Sequence, residues 1–510
     1  MLLTAQLLLQ YQRCRRRLYL DKYGDLSQTD EPSELLLKLQ QDKLERRKTV
    51  LSNFSYVRSQ YPKEDWSAGA VNTWELMRQG VDCIHKGVLL ASYGEKSTLL
   101  STPDLLIKQP GQSCFGDWIY VPAQIELGKR PKLEYQIVAA FHGQVLATVQ
   151  GVIPSTAWLL LRRKEAYAVS LAKWLPAMQR SLDECIQILT SQQAPEVFIS
   201  RQRCSLCRWF SHCYDVAKSE QHLSLLPGVT PNRYRELQAL NLVTVEAIAQ
   251  SDPSELENLQ NFDKIVAQQL VLQAQSVVEN RPIFLGYNTS GVEEITQEHR
   301  STGAEGRVTN YQLPITNYQL PTTSNIELYF DIEAQPELHL DYMLGVLVVD
   351  RQANTETFYS LLAEKPEDEA LIWQQFLELV GKYPQAPIYH FFSYEVDTVK
   401  RLAKLYHTPK EEVLPILDRF VDVYENITQT VVLPIESYAL KAIARWIGFE
   451  WRDPAANGSQ CIYWYDQWLA TGDRTFLDSI QLYNEDDCRA THHVKDWLEK
   501  FLHQLPITER

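Results

Sequence analysis

Residues Ile326–Ala334 read IELYFDIEA. Four β-branched or aromatic side chains in nine residues predict a β-strand. Strand side chains alternate between faces, so Asp331 and Glu333, two apart, point to the same side. Outward from this stretch the pattern is α/β. YMLGVLVVD (Tyr342 to Asp350) and TFYSLL (Thr357 to Leu362) predict two more strands. EALIWQQFLELVGKY (Glu369 to Tyr383) predicts a helix with Leu371, Phe376, Leu379 and Val380 on its apolar side. PIYHFF (Pro387 to Phe392) predicts another strand, and the C-terminus reads as largely helical.

Two further segments bring acids to this region. In QLYNEDDCRATHHV, Tyr483 and Asp487 are four apart on an expected helix and share a face. In IYHFFSYEVDTVKRL, Glu395 and Asp397 open a helix just after a strand. Clustered carboxylates repel unless cations neutralise them. Four so arranged can hold two Mg²⁺ or Mn²⁺ ions about 3.5–4 Å apart, the arrangement suited to phosphodiester hydrolysis. Asp331, Glu333 and Asp487 are the candidate metal ligands, and a tyrosine hydroxyl at Tyr483 can orient a water. For the third carboxylate Glu395 ranks first and Asp397 is held in reserve. D-x-E, a middle acid and Y-x3-D resemble the DEDDy branch of DnaQ-like 3′–5′ exonucleases on the RNase H fold, with the YprB-like group nearest. FVDVY (Phe420 to Tyr424) and SYALKAIARWIGFEW (Ser437 to Trp451) look like that group's intermediate segments. The resemblance covers about residues 325 to 505.

The chain has 510 residues, 45% of them hydrophobic and 22% charged, which is more than a single core accommodates. A net charge of −14 excludes a global polycation, so nucleic acid would have to meet local basic patches. MLLTAQLLLQYQRCRRRLYL places its apolar run before its basic cluster, the wrong order for a signal peptide, and the run is too short to span a bilayer. A cytoplasmic location is the expectation, with no membrane partner. There nine cysteines serve better as thiols or metal ligands than as disulfides.

RQRCSLCRWFSHC (Arg201 to Cys213) holds Cys204, Cys207 and Cys213. Thiolate metal sites usually want four ligands. Cys185, flanked by Leu182, Ile186 and Leu189, reads as a core cysteine of an amphipathic helix. Cys14 sits instead among Arg13, Arg15, Arg16 and Arg17, where cations stabilise a thiolate. An N-terminal cysteine in CRRRLYL, followed nearly two hundred residues later by C-x2-C-x5-C, resembles the iron–sulfur staple of RecB/AddB-type nucleases. The resemblance covers roughly the first 215 residues. It implies that Cys14, Cys204, Cys207 and Cys213 hold a [4Fe–4S] cluster pinning the ends of the domain together. A zinc site and free thiols are the alternatives.

The PD-(D/E)xK fold of those enzymes carries an acid on one strand and an acid and lysine two apart on the next. STPDLLIK (Ser101 to Lys108) supplies Asp104, DCIHKG supplies His85, and Tyr135 and Gln136 in KLEYQIVAAFH resemble the downstream helix. Where D-x-K is expected, however, the chain reads Gln124-Ile125-Glu126. Gln124 lacks the charge of an acid and Glu126 inverts that of the lysine. A degenerate nuclease shell is the expectation, although Glu126 could still reach a metal with Lys129 swinging in.

Between these halves, HLSLLPGVTPNRYRELQALNLVTVEAIAQ (His222 to Gln250) resembles a helix-hairpin-helix module, with LLPGV joining two short helices; a structural helical spacer is the alternative. TNYQLPITNYQLP (Thr309 to Pro321) repeats a proline-containing heptad without helical period. The expected organisation is an α/β multidomain protein: residues 1–219 RecB-like with an iron–sulfur staple, 220–285 helical, 286–324 a flexible linker, and 325–510 an RNase H-like exonuclease domain. The expected activity is DNA processing or repair, with DNA ranked ahead of RNA. An RNA exonuclease and a non-catalytic nucleic-acid-binding protein are the rivals.

Overall fold

The structure is a computed structural model that describes residues 1–162, 165–285 and 324–505, without the Gln202 side chain. The chain divides into two compact units, Met1–Glu220 and Gln221–Arg510. The TNYQLP repeat and the rest of the expected linker before Ser324 lie outside the described residues.

The first unit is built on a mixed six-stranded sheet ordered Val57–Arg58, Cys83–His85, Leu105–Ser113, Gly116–Ile125, Thr156–Leu160, Tyr167–Ser170. Gly116–Ile125 and Thr156–Leu160 run parallel, and the helix Leu133–Gln150 connects them. That helix is almost wholly buried. It shares a core with the N-terminal helix Ala5–Arg13 and with Leu171–Ser191, on which Leu182, Cys185 and Leu189 point inward. The N-terminal apolar run is thus core: Leu3 pairs with Leu99 in a small three-stranded sheet and Leu8 is buried. Among the described residues no helix is long and apolar enough to cross a membrane.

The second unit holds a five-stranded sheet ordered Thr355–Leu362, Leu340–Asp350, Ile326–Gln335, Ile388–His390, Phe420–Asp422. The first three strands are antiparallel neighbours and the last two join in parallel. Ile326–Gln335 is central, and its alternation feeds two cores. Leu328, Phe330 and Ile332 pack with Ile372, Trp373 and Phe376 of the helix Glu369–Gly381. Tyr329 faces the other side, with Val494 and Leu498 of the 30-residue helix Thr475–Gln504. Leu371, expected on the buried stripe, is exposed, because it lies five positions from Phe376 and so off that face.

The strand expected over Pro387 to Phe392 stops at His390, and Phe392 adopts a left-handed φ of 79°. Polar side chains capture the backbone there, as described below. In the helical segment, LLPGV does not join two helices: a short 3₁₀ turn, Leu223–Leu225, precedes it and the helix Pro231–Ala239 follows. The segment belongs to the second unit. Ile283–Phe284 pairs with Val431–Val432, and Gln273 Nε2 donates to the Leu433 carbonyl at 2.7 Å.

Candidate active site

Asp331 and Glu333 project from the central strand toward the long helix, and Asp487 projects back from that helix. One ligand oxygen of each lies within 4.8 Å of the others. The helix also carries Asn484, three residues and one turn before Asp487, whose Nδ2 donates to Asp331 Oδ2 at 2.7 Å. Trp451 Nε1 donates to Asp487 Oδ1 at 2.7 Å. The sheet makes room for this contact at Gly345, which lies directly opposite Asp331 in the ladder; a Cβ there would overlap Asn484 Oδ1.

Glu395 is buried at the start of the helix Tyr394–Leu405, and its charge acts on both Asp331 and Glu333. Its Oε2 is buried without a hydrogen-bond partner and lies 3.6 Å from His390 Nδ1. Asp397 is exposed, two positions on and so turned away from the buried face. The structure therefore brings Glu395, and not Asp397, to the acids.

Burial is the largest cause of every shift in the cluster. It raises Asp331 and Glu333 well above ordinary carboxylates, and the neighbouring acids add to the rise. It pushes Asp487 up to about 7, against the opposing pull of Trp451, Tyr483 and Lys441. Tyr483 is likewise raised, first by burial and then by the charge of Asp487. Lys441 lies over the Trp451 and Tyr483 rings at 5.2 and 5.8 Å, with its amine on the Ala456 carbonyl.

Glu327, His492 and Asp496 form a second acid group of similar spacing. There Lys495 pairs with Glu327 at 2.8 Å, and Arg351 pairs with both Glu327 and Asp496. Its charge is already balanced. Among the described residues no lysine or arginine ion-pairs with Asp331, Glu333 or Asp487. Buried like charges without a counter-ion call for a cation. The donor set is all oxygen, which suits a hard divalent ion such as Mg²⁺. Asn484, Trp451, Lys441 and His390 escaped the sequence reading; the three-residue spacing of Asn484 from Asp487 was the available signal for the first.

In the first unit, Asp104 and Glu126 are both buried, and the charge of Asp104 raises Glu126 further. Asp104 Oδ2 accepts from the Ile125 N–H at 2.7 Å, and its carbonyl accepts from His85 Nδ1 at 2.9 Å. Gln136 is buried but turns to the Pro131 carbonyl, and Gln124 Oε1 has no partner. Cations reach these acids from the helix Glu34–Leu51: Arg47 pairs with Asp104 at 2.8 Å and Lys43 with Glu126 at 3.5 Å. Lys43, not Lys129, faces Glu126.

Cys14, Cys204, Cys207 and Cys213 converge in the same unit, each partly buried, and Cys14 acts electrostatically on the other three. The Arg17 N–H donates to Cys14 Sγ at 3.4 Å and the Ser200 N–H to Cys204 Sγ at 3.3 Å. Burial raises Cys213 to about 11, with Arg16 pulling the other way.

A family model described as the RNase H superfamily matches residues 328–499, the span that carries Asp331, Glu333, Glu395 and Asp487. The second unit therefore contains an RNase H-like domain. Domains of this superfamily are in general nucleolytic, acting on nucleic acid with divalent metal ions. No curated protein matches the chain.

Proposed function

We propose that this chain is a metal-dependent nuclease, hydrolysing DNA as a DEDDy-type 3′–5′ exonuclease with its chemistry in residues 325–510. The observation that carries the reading is the convergence of Asp331, Glu333 and Asp487, with Glu395 acting on the first two, and with no lysine or arginine ion-paired to any of them among the described residues, while Lys495 and Arg351 pair with the acids at Glu327. The orphaned Oε2 of Glu395 and Oδ1 of Asn484 add two buried acceptors that fit a bound cation. Bound Mg²⁺ or Mn²⁺ would supply charge neutralisation and an acidified water. Asp331, Glu333, Asp487 and Glu395 would hold the ions. Asn484 and Trp451 fix the rotamers of Asp331 and Asp487. The Tyr483 hydroxyl, kept protonated by burial, orients the attacking water from one turn away.

In the same reading the first unit is a RecB-like shell. Its acids are paired with Lys43 and Arg47, which supports a loss of cleavage there. Its four cysteines fit a [4Fe–4S] cluster. Backbone N–H groups already point at two of the sulfurs, and Arg16 and Arg17 lie close enough to act on Cys213 and Cys207.

The test is digestion of end-labelled single-stranded, duplex and hybrid substrates with Mg²⁺ or Mn²⁺. Asp331→Ala and Asp487→Ala should abolish cleavage, and Tyr483→Phe should slow it about 10²-fold. Cleavage of RNA alone would replace DNA as substrate, and full activity of Asp331→Ala would overturn the reading.

A further inference from the structure

The Tyr342 ring is fully buried, and its hydroxyl has no hydrogen-bond partner among the described residues. A buried hydroxyl left unpaired is costly, so its position needs a cause. In the ladder between Ile326–Gln335 and Leu340–Asp350, Met343 lies opposite Glu333 and Asp341 opposite Ala334. Tyr342 is therefore the extra residue of a β-bulge. Regular alternation would turn it away from the side that Met343 shares with Glu333. The bulge turns it back: its ring stacks on Tyr465, with centroids 3.9 Å apart and planes at 3°. Tyr465 and Cys461 are one turn apart on the helix Gly458–Thr471, both fully buried, and the Cys461 thiol hydrogen-bonds Glu333. Stack and thiol thus bring Tyr342 and Glu333 to one face of one helix. The phenol keeps its proton, since burial raises it well above an ordinary tyrosine and the charge of Glu333 raises it further. The Tyr465 hydroxyl, by contrast, already donates to the Ala363 carbonyl at 2.9 Å.

We propose that the Tyr342 hydroxyl serves the metal-loaded site, where it donates to the Glu333 carboxylate and fixes it as a ligand. The inference rests on the metal-dependent reading above and adds a positioning residue to it. Carboxylates that ligate a metal are themselves hydrogen-bonded, and these outer partners set how tightly the ion is held. Cys461 offers Glu333 only a weak S–H donor, which leaves a task for the stronger donor on the bulge. Tyr342 and Cys461 are both sealed from solvent, so neither touches substrate.

The test measures Mn²⁺ binding to the full chain from the loss of the free-ion EPR signal, alongside melting in chelator. Tyr342→Phe removes the hydroxyl and keeps the stacked ring. It should melt no lower than wild type in chelator, because no hydrogen bond is lost, yet bind Mn²⁺ about 10- to 100-fold more weakly. In cleavage assays it should need a correspondingly higher Mg²⁺ concentration and approach the wild-type rate once saturated. Tyr465→Phe is the control for the stack: it leaves the Ala363 carbonyl without its donor, so it should melt lower while binding Mn²⁺ as wild type does. Wild-type Mn²⁺ affinity in Tyr342→Phe, a lower melt of that variant in chelator, or an equal loss of affinity in Tyr465→Phe would overturn the inference while leaving the nuclease reading standing. A wild-type chain that binds no Mn²⁺ and cleaves no nucleic acid would overturn both.

Discussion

Gly345 shows how narrowly the acids are seated. It is required because Asn484 fills the space its side chain would occupy, and Asn484 in turn holds Asp331. Gly345→Ala should cost about 1–3 kcal/mol from overpacking and reduce cleavage at least about 10-fold. Thermal melting and rate assays check it, with one further discriminator: adding Asn484→Ala should recover the melting temperature but not the rate. The acids themselves carry a pH signature. Without metal, their folded-state pKa values lie above ordinary carboxylate values, with Asp487 at about 7. A raised acid means the folded state holds its proton more tightly, so stability is greatest at low pH and is lost as pH rises through the folded-state values. The second unit should therefore melt at lower temperature at pH 8 than at pH 5 in chelator. Mg²⁺ should restore it strongly at pH 8 and weakly at pH 5, and Asp331→Asn should flatten the pH dependence. A pH-independent melt with no Mg²⁺ effect would mean the acids hold no ion.

The helix Glu34–Leu51 is the element whose role the fold most alters. It has 18 residues, one of them buried, and leaves Leu37 and Leu44 on the surface. Its seat is polar: Arg47 pairs with Asp104, Lys43 pairs with Glu126, and Arg46 donates to the Leu161 carbonyl. Arg47→Leu should leave Asp104 buried and unpaired, destabilising the first unit by about 2–3 kcal/mol, and less if water reaches the acid past the partly exposed helix. Removing both partners with Asp104→Leu should give back most of that loss, because no orphaned charge remains. Chemical denaturation of the four-membered mutant cycle measures it. Additive losses would show that the pair is not coupled.

At the scale of the molecule the two units should answer different mutations. Cys14→Ser should bleach an anaerobically purified brown protein, about four irons per chain being expected, and lower the melting transition of the first unit only. Asp104→Ala should leave cleavage unchanged and Asp331→Ala should remove it. Iron analysis, absorbance near about 400 nm, calorimetry and nuclease assays on the same preparations provide the check. The reverse pattern, Asp104→Ala inactive and Asp331→Ala unharmed, would move the chemistry to the first unit.

What was legible in the sequence followed from local periodicity. Asp331 and Glu333 share a strand face and Tyr483 and Asp487 a helix face because backbone geometry alone dictates it. Cys185, with Leu182 and Leu189 on the same apolar side, was legible for the same reason. Tertiary structure decided what depends on residues far apart in the chain. Glu395 prevails over Asp397 because burial against the central strand selects one side of a helical turn. Phe392 leaves the expected strand because His390 and Asp422 capture its backbone. Lys43 and Arg47, some sixty to eighty positions before the acids they pair with, carry no local signal of their task. Spacing reports which side chains share a face; only the packed fold brings two faces together and leaves one acid cluster paired and the other in need of a cation.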